Sequence, residues 1–267
     1  MDFQLVRESM KSNILFTVTD ISKINELKGQ GIEKFVWPLN FFCVGIPKTF
    51  NINEVTEENS YLFINRVLDS KAINDLKVIL NNLPSNIKGI IFDDLGLINL
   101  LKDLKIEKIL YNTHFTCNYE SINYMFDYVD EVIISTDITE EEIDEIISKA
   151  KKKISLFNFG LVPSFYSRRT LLTNYAAHHN LEIKKEKDLY INDKKFISIE
   201  NKYGTMLYHY PYFNGTRLLN KDVKYLFYFP ILIDSDKLVK IANNDFSVVD
   251  TDEGFLSIKT IYKVKNK

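Results

Sequence analysis

The sequence predicts an α/β fold, a (β/α)8 barrel of the TIM type with an antiparallel β insertion after its seventh strand. Three observations lead there. Short β-branched or aromatic runs alternate with stretches whose apolar residues recur at helical spacing, the pattern of parallel strands joined by crossover helices. Seven such runs precede residue 160 at barrel-like spacing, and an eighth follows the insertion. No Gly-x-Gly-x-x-Gly follows the first run and no Gly-x-x-x-x-Gly-Lys-Ser/Thr occurs anywhere, so an open doubly wound sheet with a phosphate loop has no mark in the chain.

In order, the strand runs are Ile14–Val18, Lys34–Trp37, Tyr61–Asn65, Gly89–Phe92, Lys108–Tyr111, Glu131–Ser135 and Ile154–Asn158. Helical spacing covers Ile21–Lys28, Ala72–Leu83, Leu97–Leu104, Glu120–Tyr128 and Glu140–Lys151. The last opens on Thr139 with Glu142 three residues on, the pattern of a capping box. Beyond the seventh strand, Ser167–His179 reads as a helix. Glu182–Ile191, Lys195–Glu200 and Thr205–Tyr210 then read as strands, with Asn192-Asp193 and Tyr203-Gly204 as turns. Lys224–Phe229 supplies the eighth strand, Ser235–Ala242 a helix, and the alternating tail Phe246–Val264 a terminal hairpin. With no linker, repeat or low-complexity tract, residues 1–267 read as one barrel domain, the β-rich insertion lying at about 181–210.

Composition narrows the class. Hydrophobic residues make up 45% and charged residues 26%, a folding composition. The formal net charge of -2 provides no overall positive field for nucleic acid. Cys43 and Cys117 stand too far apart for a thiolate-rich metal or cluster site, and the four histidines lack ligand spacing, so neither a cofactor nor a metal is expected. The first residues lack the apolar core of a signal peptide, and the longest apolar run, Tyr225–Ile233, is too short for a bilayer. The expected location is the cytoplasm, away from membranes.

In a barrel of this kind active sites sit where strands end. The strand ends collect Asn65 and Arg66, Asp93 and Asp94, Asn112 and His114, and Thr136 and Asp137. Asp94 and His114 are the acid/base candidates. Adjacent carboxylates on one strand point in opposite directions, so one of Asp93 and Asp94 caps the following helix while the other faces the mouth. His114 is the histidine at a predicted strand end. Arginine occurs only at positions 7, 66, 168, 169 and 217 in a lysine-rich chain, so Tyr166-Ser167-Arg168-Arg169 stands out. At the start of a helix, Ser167 as cap and one inward arginine would make an anion site. Asn65, Arg66, Asn112 and Asp137 complete the binding candidates on this face.

Four segments carry a resemblance: FNFGLVPSFYSRRTLLTNY, GIIFDDLGLINLL, YNTHFTCNYESINYMFDYVDEVIISTDITEEEIDEI and SIENKYGTMLY. Together, from about Asn13 to Leu207, they resemble the collagenase-like peptidases, family thirty-two among peptidases of unknown catalytic type. The resemblance implies a (β/α) barrel core and, nominally, peptide hydrolysis. Members linked to tRNA wobble-uridine or ubiquinone hydroxylation carry a cysteine set around and beyond the first segment. Here that stretch holds no cysteine and keeps Tyr166, Ser167, Arg168, Arg169 and Asn174 as the matching positions, which implies a cysteine-poor branch. The expected partner is a peptide or an anionic small molecule. Two alternatives are a non-cluster subunit acting on tRNA with a cysteine-bearing paralogue, and a non-catalytic barrel that binds a protein. An aromatic-packed mouth that excludes ligand would favour the last.

Overall fold

A computed structural model describes residues 11–112 and 115–258. Eight parallel strands close into a barrel, as predicted: β1 (Ile14–Thr17), β2 (Lys34–Pro38), β3 (Ser60–Ile64), β4 (Ile87–Phe92), β5 (Glu107–Tyr111), β6 (Glu131–Ile134), β7 (Ser155–Gly160) and β13 (Leu226–Phe229). Closure comes from β13, which pairs with β7 through Phe227↔Phe157 and with β1 through Leu15↔Phe227. Between the strands run α1 (Ile24–Gly29), α2 (Ser70–Leu80), α3 (Gly96–Leu101), α4 (Tyr119–Met125) and α5 (Glu140–Lys149). The α5 capping box is present: Glu142 N donates to Thr139 Oγ1 at 3.2 Å and Thr139 N to Glu142 Oε2 at 2.7 Å.

Side chains on a strand alternate between faces, so every second residue fills the barrel. Phe63, Tyr111, Phe157, Phe227 and Phe229 meet inside it with ring centroids 5.5–6.3 Å apart. Such pairs contribute roughly 0.5–1.5 kcal/mol each beyond their buried area. The N-terminal end of the barrel is closed by polar groups instead. Glu131, 1% exposed, accepts from Ser155 Oγ at 3.0 Å and the Val132 amide at 3.1 Å, and lies 3.6 Å from Lys224 Nζ. Beside it Tyr225 donates to Glu107 at 2.9 Å. Burial pushes the Glu131 carboxyl up to about 7, against the pull of Lys224 and Ser155.

The insertion differs from expectation at its start. Residues 167–179 are not one helix. Pro163–Ser167 is strand β8, and α6 begins only at Leu171 and ends at His178. β8 pairs antiparallel with β11 (Gly204–His209), which pairs with β10 (Lys194–Asn201), which pairs with β9 (Glu186–Ile191), giving a four-stranded sheet ordered β8-β11-β10-β9. The predicted turn residues Asn192 and Asp193 both take positive φ, 49° and 61°. This sheet roofs the barrel mouth. Tyr208, fully buried, donates to Gly45 O at 2.8 Å in the β2–β3 loop and packs on Phe229 at 6.3 Å. Gly45 has φ +68°, and a Cβ there would lie 2.2 Å from Met206 Cβ, so only glycine admits the roof this close.

After the insertion, β12 (Tyr212–Asn214) runs antiparallel to β7 at the barrel edge. α7 (Leu238–Ala242) follows the last barrel strand. The predicted terminal hairpin is not formed by the described residues. A 3-10 turn at Phe246–Val248 leads instead to β14 (Thr251–Asp252), which pairs parallel to β12, and the rest of the predicted hairpin, 259–264, lies outside the described residues.

Candidate active site at the C-terminal rim

β4 decides between the paired aspartates. Ile91 is opposite Phe63 and Ile109 in the barrel layers, so the alternation carries Asp93 inward and Asp94 outward. Asp94 is a loop lock. Its Oδ2 accepts from the Leu68 amide at 3.0 Å and its Oδ1 from the Gly96 amide at 2.9 Å, tying the β3 loop to the start of α3. Asp93 is the carboxylate at the mouth, and Asn112 Nδ2 donates to its Oδ1 at 2.6 Å. Asn112 is itself buried, and its main-chain carbonyl accepts from Thr116 Oγ1 at 2.8 Å, so the backbone that carries this amide is held in place.

Two phenols share the electrostatic surroundings of Asp93. Tyr111, the last residue of β5, packs its ring against Phe63, Phe157 and Phe227 inside the barrel; Tyr166 is contributed by β8. The hydroxyls of both are buried without a hydrogen-bond partner among the described residues, although the Val67 amide approaches Tyr166. A buried polar atom without a partner is rare and marks a place for water or ligand. Burial pushes both phenols up, for Tyr166 against the opposing pull of Arg66 and Arg168, so both remain protonated donors at neutral pH.

The two rim arginines are differently employed. Arg66 donates to Phe41 O at 2.9 Å and Asp69 at 3.2 Å, and its guanidinium stacks 4.1 Å from the Tyr203 ring centroid. Arg168 is 58% exposed and reaches Asp69 only at 3.9 Å, which leaves its fork available to a ligand. A groove of about 520 Å³ lined by Arg66, Asp69, Lys202 and Tyr203 adjoins the pair.

Other predicted residues fall elsewhere. Asn65 clamps the β2–β3 loop through both amide atoms, to Val44 N at 2.9 Å and Val44 O at 3.0 Å. Ser167 lies on a strand rather than a helix start, and its Oγ accepts from the Arg169 amide at 3.1 Å. Arg169 and Asn174 are exposed. Asp137 lies at the end of β6, on a separate groove. His114 lies outside the described residues.

The expected anion at the helix start is the protein's own. Glu200, on β10 with its side chain fully buried, accepts from the Leu172 amide at 2.7 Å, from Thr173 and from Thr205 Oγ1 at 3.0 Å, and pairs with Lys185 at 2.8 Å. Burial works to raise its pKa, but the Lys185, Thr173 and Thr205 donors outweigh it and hold the carboxyl below its ordinary value. The first turn of α6 is thereby satisfied from within.

Asp69, Tyr111 and Tyr203 were not singled out by the sequence. Tyr111 carried a signal, being the last inward residue of a strand. Asp69 reads only as the cap of α2, which it also is, accepting from the Ala72 amide at 2.8 Å. Cys43 is buried, its thiol pushed up to about 12 by burial, and no group of three or more His, Cys, Asp or Glu among the described residues is placed to hold a metal ion. No helix among them is long and apolar enough to cross a membrane.

Comparison with known proteins adds the lineage. The family model for peptidase family U32 matches residues 36–184. No curated protein sequence matches the chain. Among solved structures it is similar to the U32 peptidase Mk0906, with 12% identity and a TM-score of 0.44 over 65% of this chain and 80% of that one. It is also similar to the Bacillus cereus spore cortex-lytic enzyme SleL, with 11% identity and a TM-score of 0.42 over 90% of this chain and 74% of that one.

Proposed function

The chain belongs to peptidase family U32, and on that premise we propose that it is a peptidase-like enzyme that hydrolyses a peptide at the C-terminal rim, with Asp93 as general base. The observation that carries this reading is the Asp93 carboxylate, oriented by Asn112 at 2.6 Å and sharing its surroundings with the buried hydroxyls of Tyr166 and Tyr111, the latter without a hydrogen-bond partner among the described residues.

The chemistry follows from those groups. Asp93 takes a proton from water as the water oxygen attacks the peptide carbonyl carbon. The carbonyl oxygen gains negative charge and accepts hydrogen bonds from Tyr166 and Tyr111, donors already desolvated and in place. The tetrahedral intermediate then expels the amine, which takes the proton back from Asp93. Arg168 binds an acidic group of the substrate, a side chain or the C-terminal carboxylate, through its exposed fork.

The test is Asp93→Asn assayed on a mixed peptide library by mass spectrometry. The substitution keeps the shape and the bond to Asn112, so turnover falls by about 10²–10⁴-fold while binding and thermal stability hold. Turnover equal to that of the wild type overturns the assignment. A second reading has its own support: Tyr208, Phe229 and Phe63 fill the barrel axis, as in a barrel kept for binding a protein. Wild-type protein that binds peptides and cleaves none would favour it.

A further inference from the structure

We propose that a second rim groove, running outward from the end of β6, is a subsite for a lysine or arginine side chain of the bound peptide. This rests on the reading of the mouth as a peptide site and adds what that reading leaves open, the class of residue selected.

The groove has a volume of about 550 Å³, room for a long side chain and its neighbours. Val162, Phe196 and Phe213 line it and offer apolar surface to an aliphatic stem. Three carboxylates, Asp137, Asp193 and Asp252, stand on its walls. Asp137, exposed at the barrel rim, has no ion-pair partner among the described residues. The positive residues facing them are fewer. Lys195 is committed to Asp188 at 2.7 Å and lies 4.4 Å from the Tyr210 ring centroid, which leaves Lys194 as the lysine of the groove without an ion-pair partner among the described residues. His209 also lines the groove and stacks on Phe196 at 5.2 Å. Apolar walls with an excess of carboxylate suit a cation on a hydrocarbon stem, the construction of lysine and arginine.

An independent observation points the same way. Thr136 is 7% exposed and lines the groove, yet its Oγ1 is buried without a hydrogen-bond partner among the described residues. Such an atom is an acceptor in waiting for an N–H group. Tyr111 lies within electrostatic reach of both Asp137 and Asp93, so the groove begins where the catalytic cluster ends.

The experiment is fluorescence anisotropy on the full chain with labelled peptides that differ at one central position: lysine, arginine, norleucine or glutamate. Lysine and arginine peptides are expected to bind about fivefold tighter than the norleucine peptide, as an accessible ion pair allows, with glutamate weakest. Asp137→Asn removes that preference while leaving norleucine binding unchanged, and Thr136→Val weakens the arginine peptide in particular. Equal affinity for lysine, norleucine and glutamate peptides overturns the proposal, as does a preference that survives Asp137→Asn. A preference seen only after removal of residues 259–267 would assign the groove to the chain's own lysine-rich end and overturn it too. The two readings fail separately. Basic peptides bound selectively but never cleaved remove the hydrolytic reading and keep the subsite; cleavage indifferent to a basic residue does the reverse.

Discussion

Glu131→Gln is predicted to change how stability depends on pH. In the folded protein burial lifts this carboxyl from its ordinary 4.5 to about 7. A shift of that size, at about 1.4 kcal/mol per unit, corresponds to about 3 kcal/mol between the two protonation states. The native state holds the proton more tightly than the unfolded chain, so protons are released on unfolding throughout this window. Stability contributed by the protonated carboxyl is therefore full below about 4.5, declines as pH rises, and is lost once pH passes about 7. Glutamine keeps the shape and has nothing to titrate. Urea denaturation of both proteins at several pH values between about 4.5 and 8 should show the variant gaining about 3 kcal/mol on the wild type across the range. Parallel stability curves for the two proteins would refute the argument, because the titration would then lie outside the folding equilibrium.

Two further substitutions probe the roof. Glu200→Gln removes the charge that holds the first turn of α6, and charge-assisted hydrogen bonds of this sort contribute about 1.5–3 kcal/mol each. Faster proteolysis within residues 171–185, with barrel strands still protected in hydrogen exchange, is the expected outcome; because this carboxyl is depressed when folded, the wild type should acquire the same weakness as pH falls through its lowered pKa. Gly45→Ala places a methyl 2.2 Å from Met206 Cβ at φ +68° and should cost about 3 kcal/mol in thermal denaturation, part of it recovered by adding Met206→Ala.

The barrel was legible because its information is local. Seven alternating runs, helix caps such as Thr139 with Glu142, and an eighth apolar run each report on their own neighbourhood, and all eight became barrel strands. The insertion misled at Tyr166 and Ser167 because what makes them a strand is distant: Met206 pairs with Tyr166 and Thr205 with Ser167. Glu200 was hidden for the same reason. On β10 it reads as an ordinary polar residue near the strand's end, between Ile199 and Asn201, and only the structure shows it buried under the first turn of α6. At the site, the sequence put Asp94 forward as the acid/base candidate, and only the register of β4 against β3 and β5 shows that Asp93 is the one turned inward. Arg66 and Arg168 could not be told apart from sequence, since the Tyr203 ring and Phe41 carbonyl that engage Arg66 belong to other loops.

The eighth strand carries a kinetic consequence. Chain leaves the barrel at Gly160 and returns at Leu226, and the returning strand must then find β1 near the other end of the chain, Ile14 against Leu226. Contacts of such sequence separation carry a large loop-closure entropy and form slowly. Until they form, β1 and β7 present open edges, and Phe157 and Leu15 lack the neighbour that covers them. Refolding is thus expected to pass through a seven-stranded, unsealed species, prone to associate through those edges, whose lifetime is set by how quickly the roof docks and delivers the closing strand.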